Sequence, residues 1–169
     1  TFNTAAEVSK LDKLFKAMIA RGDKSVVLMG RAFDVTAIGL CKKNIDKFFS
    51  GEGGFPIYPI NAPYEDMDEV MADLAATTGG KYIQTTERKL ENINIGDVGK
   101  ASKIFCKRYE GIITGTKPGE DTRVDALVQT RAEEIKSKLA GQVSDFEKKS
   151  LEKRLAQLTA GTAIIKVGA

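Results

Sequence analysis

Histidine is absent from this chain, so no imidazole is on hand as a general base near neutral pH. What remains for chemistry is carboxylates, lysines and two thiols. Cys41 and Cys106 stand far apart and in no CxxC spacing, a usage that predicts free, buried thiols in a reducing compartment. A zinc site would need both of them plus carboxylates, and the spacing does not supply that set. The acids Asp66, Asp68 and Glu69 crowd one short stretch. Such a cluster could hold a cation or divide acid and base roles. It equally suits the first turn of a helix, where the macrodipole favours negative charge. Ser50-Gly51-Glu52-Gly53-Gly54 has neither dinucleotide nor Walker spacing, and reads as a connection, not a phosphate cradle.

The elements that would position these groups follow from hydrophobic spacing. Lys24 to Gly30 is a short β-branched run between two glycines, the pattern of a strand buried on both faces. A helix over Thr4 to Arg21 precedes it, with Leu11, Leu14 and Met18 as one stripe and Phe15 and Ile19 widening it. Those two widen it beyond what one buried seam needs, which gives either a broad core face or a second face offered to a partner. A second helix runs from a cap at Asp34 to Phe49, with Ile38 and Cys41 on its apolar side and Lys42, Lys43 and Lys47 off it. Cys41 is expected inside, on the core side. Phe55 to Ile60 carries two prolines and reads as an edge or irregular strand.

Further along, a third helix spans Tyr64 or Glu65 to Thr78 and stops at Gly79-Gly80. Lys81 to Gln84 reads as a strand. Ser102 to Tyr109 and Ile112 to Thr114 read as a hairpin turning at Glu110-Gly111. Thr122 to Ala140 and a helix opened by Ser144 form an αα-hairpin whose many charges look like solvated faces. Thr162 to Val167 closes the chain as a strand. The fold class is α/β, with mixed sheets flanked by helices.

The chain has 169 residues, 42% hydrophobic and 29% charged, enough apolar content for a real core. A net charge of +3 with interleaved signs gives no basic patch for nucleic acid. No stretch has the length of a transmembrane helix and no signal peptide is visible. Because Thr1 stands where a methionine would, the chain is expected to be a piece of a longer one.

Residues 144–169 carry a resemblance. Ser144-Asp145-Phe146-Glu147, then Leu151-Glu152-Lys153-Arg154-Leu155-Ala156-Gln157-Leu158-Thr159-Ala160-Gly161 and the closing Ile164-Ile165-Lys166-Val167-Gly168-Ala169, resemble the end of the apical domain of a group I (GroEL-like) chaperonin. Upstream, Asp73 to Gly80 and Val98 to Ile104 match family turns in the same order. The similarity covers nearly the whole chain, strongest after Asp121 and weakest from Phe33 to Pro59. It implies a swivelling β/β/α apical domain over 1–160, truncated at its N-terminal side. Residues 161–169, with Ala160 and Gly161 as the hinge, would begin the intermediate domain. Gly161→Val is then expected to leave the domain folded while impairing the cycle.

The resemblance also implies a function: capture of non-native polypeptides in an apolar groove between two helices, within an ATP-driven homo-oligomeric ring in the cytoplasm. ATP and Mg would be held by an equatorial domain outside these residues, with no cofactor here and the isolated piece a monomer. Carried over residue by residue, the groove positions fall on Asp12, Phe15, Ile38, Lys42 and Lys43, with Ile19 one turn beyond Phe15. Phe15 and Ile38 keep the family's apolar character; Asp12, Lys42 and Lys43 do not, and Tyr64-Glu65-Asp66 replaces a glycine-rich turn. These departures leave a co-chaperonin open and permit a virus-encoded member. Two other readings stand beside it: a small-molecule enzyme using carboxylates on an α/β sheet, and a nucleic-acid module, which the scattered charge disfavours.

Overall fold

The computed structural model describes residues 2–84, 86–107 and 110–166. They form two units, residues 1–62 with 83–97 and residues 63–82 with 98–169. Thr1, Thr85, Arg108, Tyr109 and the closing Val167-Gly168-Ala169 lie outside the described residues, and so do the readings that fell on them.

In the first unit the expected single helix over Thr4 to Arg21 is two: α1 (Ala5–Ser9) and α2 (Asp12–Arg21). The Leu11 amide donates to the Val8 carbonyl at 3.0 Å, a tightened turn that ends α1. Leu11 sits at φ −89, ψ 3. Val8 and Leu11 are both sealed from solvent, at 0% and 2% exposure. Burying each contributes roughly 1.5–3 kcal/mol, whereas one intrahelical hydrogen bond nets about 1 kcal/mol. Burial therefore outweighs an unbroken ladder. Gly22 closes α2 in the left-handed conformation, which glycine adopts without a Cβ penalty.

β1 (Val26–Gly30) and β2 (Ile57–Asn61) pair in parallel, Val26 opposite Ile57 through Gly30 opposite Asn61. Between them in the chain runs α3 (Val35–Phe49), so the three make a βαβ unit. Asp34 caps α3, its side chain accepting from the Ala37 amide at 2.8 Å. That bond holds the Asp34 carboxyl below its ordinary pKa. β1 is half-buried along its whole length, not sealed on both faces, because this sheet has only two strands among the described residues. Pro59 sits in β2 opposite Leu28, tolerable because a two-stranded sheet consists of edges.

The second unit sets three helices, α4 (Met67–Thr78), α5 (Thr122–Leu139) and α6 (Asp145–Thr159), with an antiparallel sheet of β3 (Lys103–Cys106), β4 (Glu110–Thr114) and β5 (Thr162–Lys166), in the order β3-β4-β5. Asp121 caps α5, accepting from Arg123 and Val124, and Ser144 caps α6, accepting from Glu147. Ala76, Ala132, Ile135, Leu151 and Leu158 form the helical core. Ile113, Ala163 and Ile165 bury the inner side of the sheet.

Three local readings change. Lys81 to Gln84 is not a strand; instead the Tyr82 hydroxyl donates to Asp68 at 2.6 Å. α4 starts at Met67, not at Tyr64 or Glu65, because Asp66 takes a left-handed conformation (φ 49) that breaks any earlier helical turn. Glu110 and Gly111 belong to β4, where Gly111 pairs with Cys106. No helix among the described residues is long and apolar enough to cross a membrane.

Candidate functional site

A cavity of about 590 Å³ opens in the first unit between α2, α3 and the start of β2. From α2 come Asp12, Phe15, Lys16 and Ile19, at the i, i+3, i+4, i+7 spacing that puts four side chains on one helix face. From α3 come Leu40, Asn44 and Phe48, one line at steps of four. Phe55 and Ile57, both buried, belong to its lining as well. Gly54 brings that loop against α3: a Cβ there would stand 2.5 Å from the Asn44 carbonyl oxygen, a distance no side chain tolerates.

The lining divides into buried and accessible groups. Phe15 is 7% exposed, and its ring lies 6.0 Å from that of Phe55. It is core, which corrects the expectation that it is spare. The break before α2 turns Leu11, Leu14, Phe15 and Met18 inward together, so the buried face is wider than one seam. Ile19 is 53% exposed and Phe48 is 44% exposed; these two line the cavity and also face solvent.

Ile38 is 46% exposed, yet it does not line this cavity, and neither do Lys42 and Lys43. At about 100° per residue, Ile38 and Lys42 lie about 200° round α3 from Leu40. Ala37 and Cys41, both at 0% exposure, face the core. Burial pushes the Cys41 thiol up from its ordinary pKa. Of the expected groove set the structure thus brings together Asp12, Phe15 and Ile19. It adds Lys16, Leu40, Asn44 and Phe48, which sequence reasoning missed. The line Leu40-Asn44-Phe48 was hard to find because its middle member is polar. Asn44 donates from Nδ2 to the Leu40 carbonyl at 3.0 Å, which leaves its side-chain carbonyl oxygen as an acceptor on the wall.

Asp68, Glu69 and Asp73 of α4 are each engaged by neighbouring side chains. Asp68 accepts from Tyr82. Glu69 and Asp73, one turn apart on α4, are gripped by Arg131 of α5 and Arg154 of α6. Arg131 Nε reaches Asp73 at 2.7 Å and its Nη2 reaches Glu69 at 2.7 Å; Arg154 Nε reaches Asp73 at 2.7 Å. Lys138 adds a bond to Glu69 at 3.0 Å. Burial alone would raise the Glu69 pKa, but the bonds from Lys138 and Arg154 and the charges of both arginines outweigh it and hold it at about 2. A carboxyl so fixed neither gives nor takes a proton near neutral pH. The charges of α5 and α6 are therefore not all solvated: Arg131 and Arg154 side chains are only 15% and 10% exposed.

Gly161 follows Ala160, the C-cap of α6, at φ 66. Its amide donates to Leu158 and its carbonyl accepts from Gly115, both at 3.0 Å. This is a left-handed glycine ending a helix. Beyond it, β5 pairs with β4 inside the second unit.

No family model matches the chain. Among curated proteins it is similar to the chaperonin GroEL of Wolbachia sp. subsp. Brugia malayi (strain TRS), 29% identical over 166 residues, and to that of Wolbachia pipientis wMel, 28% identical over 165. Each match covers 95% of this chain and 28% of the relative, so the chain spans little more than a quarter of the relatives' length. Among solved structures it is similar to the chaperonin gp146 from the bacteriophage EL 2 (Pseudomonas aeruginosa), crystallised in the presence of ATP-BeFx. That match has a TM-score of 0.60 and 14% identity, and covers 99% of this chain and 32% of that one. At that identity it speaks for the fold alone. The chain is thus similar in sequence to GroEL chaperonins over nearly its whole length, and its α/β fold of helices and small sheets is similar to that of the phage chaperonin.

Proposed function

We propose that this chain is the apical, polypeptide-binding domain of a divergent GroEL-like chaperonin, and that the groove between α2 and α3 captures apolar segments of non-native proteins. The observation that carries the reading is a roomy cavity in which Ile19 and Phe48 line the wall and remain about half exposed. An apolar wall open to water gains free energy when a client segment covers it. That gain is non-directional, which suits clients of many sequences. The Asn44 carbonyl oxygen offers a backbone N–H of such a segment a partner, independent of sequence.

On this reading the ring, its nucleotide and its magnesium belong to segments other than these 169 residues, and Gly161 marks the passage toward them. A co-chaperonin would compete for the same wall. The carboxylate-enzyme reading finds less support, since Glu69 is locked as an anion among arginines.

The test is a double substitution. Ile19→Ser with Phe48→Ser removes exposed groups, so the melting temperature should fall by only a few degrees. Binding of a denatured client should weaken about tenfold, equivalent to about 1.4 kcal/mol. Phe15→Ser, by contrast, should cost about 3–5 kcal/mol because it empties a buried ring site. A folded double variant that still binds the denatured client with the parent's affinity would defeat the proposal.

A further inference from the structure

The charged side chains on the cavity's lining are unevenly placed. Asp12 and Lys16 come from α2, and Asp23 and Lys24 follow it in the chain; the α3 wall of Leu40, Asn44 and Phe48 contributes none. Asp23 is already neutralised, because Arg21 grips its Oδ2 from Nε at 2.9 Å and from Nη2 at 2.6 Å. Lys16 and Lys24 are exposed and neither joins an ion pair among the described residues. Asp12 sits one turn before Lys16 and offsets part of one of them. The lip thus keeps positive charge in excess, all on one side of an otherwise uncharged slot.

We infer that the segment this groove takes is an amphipathic one, with apolar side chains against Ile19, Leu40 and Phe48 and carboxylates on the flank facing Lys16 and Lys24. The inference rests on the groove reading above and names the client chemistry that it prefers. A segment with lysines on that flank would meet like charge, while a neutral one would leave both ammonium groups solvated and gain only the apolar contact. The preference is set at the rim, so it selects among apolar clients instead of creating affinity. It also places charge selection on Lys16 and Lys24, not on Lys42 and Lys43 of α3, which do not line the cavity.

The probe is a pair of short, identically labelled peptides with one Leu/Phe core, flanked by glutamates in one and by lysines in the other. Their binding to the 169-residue chain is followed by fluorescence anisotropy. At low ionic strength the glutamate-flanked peptide should bind about fivefold more tightly, the scale of exposed ion pairs. About 1 M salt should erase the difference. Lys16→Glu with Lys24→Glu should invert it while leaving the circular-dichroism spectrum unchanged. Equal binding of the two peptides, or a glutamate preference that survives the charge reversal, would overturn the inference. In that case Ile19→Ser with Phe48→Ser still decides the groove reading: loss of both peptides keeps it, whereas retention of both removes it and this inference together.

Discussion

Asp73 sits between two arginines from two other helices, and removing its carboxylate should destabilise the second unit more than any single exposed ion pair would. It is 8% exposed and accepts from Arg131 Nε at 2.7 Å, from Arg154 Nε at 2.7 Å and from Arg154 Nη2 at 3.0 Å. Asp73→Ala leaves Arg154 with the carboxylate of Glu69 alone, and Arg131 with those of Glu69 and the exposed Glu134. Breaking a buried pair costs about 3–5 kcal/mol, and the surviving Glu69 places the expectation at the low end, about 3 kcal/mol. With a urea slope of about 2 kcal/mol per molar, the midpoint should drop by about 1.5 M. Far-UV circular dichroism reports it directly, since α4, α5 and α6 hold much of the helical signal. The companion variant joins Asp73→Leu to Arg131→Met and Arg154→Met. It replaces the charges by apolar volume and should recover most of the loss, because pairing and desolvation nearly cancel in the parent. An Asp73→Ala chain within about 0.5 kcal/mol of the parent, or a triple variant no better than the single one, would refute the account of a desolvated network.

The same network sets an acid limit. Because the folded Glu69 pKa is depressed to about 2 from its ordinary value of 4.5, its contribution is complete above pH 4.5 and is lost as pH falls toward 2. The Glu69 side chain is 38% exposed, so solvent screening leaves about 1 kcal/mol. Urea midpoints should fall through that window in the parent and more shallowly in Glu69→Gln. Gly161→Val should leave the chain folded but less stable. Its left-handed φ costs a β-branched residue about 1–2 kcal/mol, and the new Cβ would meet the Thr116 carbonyl oxygen at 3.3 Å. A melting temperature several degrees below the parent's is expected, with Gly161→Asn in between; an unchanged melt would show that the backbone relaxes freely there.

The sequence by itself determined whatever depends on neighbours in the chain. The caps at Asp34 and Ser144, the glycine stop at Gly22, and the extents of α3 and α5 were legible, because caps and stops are settled within a few residues. The motif wording of residues 144–169 carried the family resemblance. Tertiary structure decided the rest. Whether Phe15 was core or surface depended on Phe55, forty positions away, and on the turn at Lys10-Leu11 that rolls α2 inward. Which line of α3 faces the cavity depended on Ala37 and Cys41 claiming the core face. Arg154 read as solvated charge, and Arg131 as a member of an apolar stripe, until two carboxylates of α4 met them. Lys81 to Gln84 had the composition of a strand but forms none, and Tyr82 instead reaches Asp68 of α4. The physical reason is common to all four: burial and pairing are properties of two surfaces, and one stretch of chain encodes only its own.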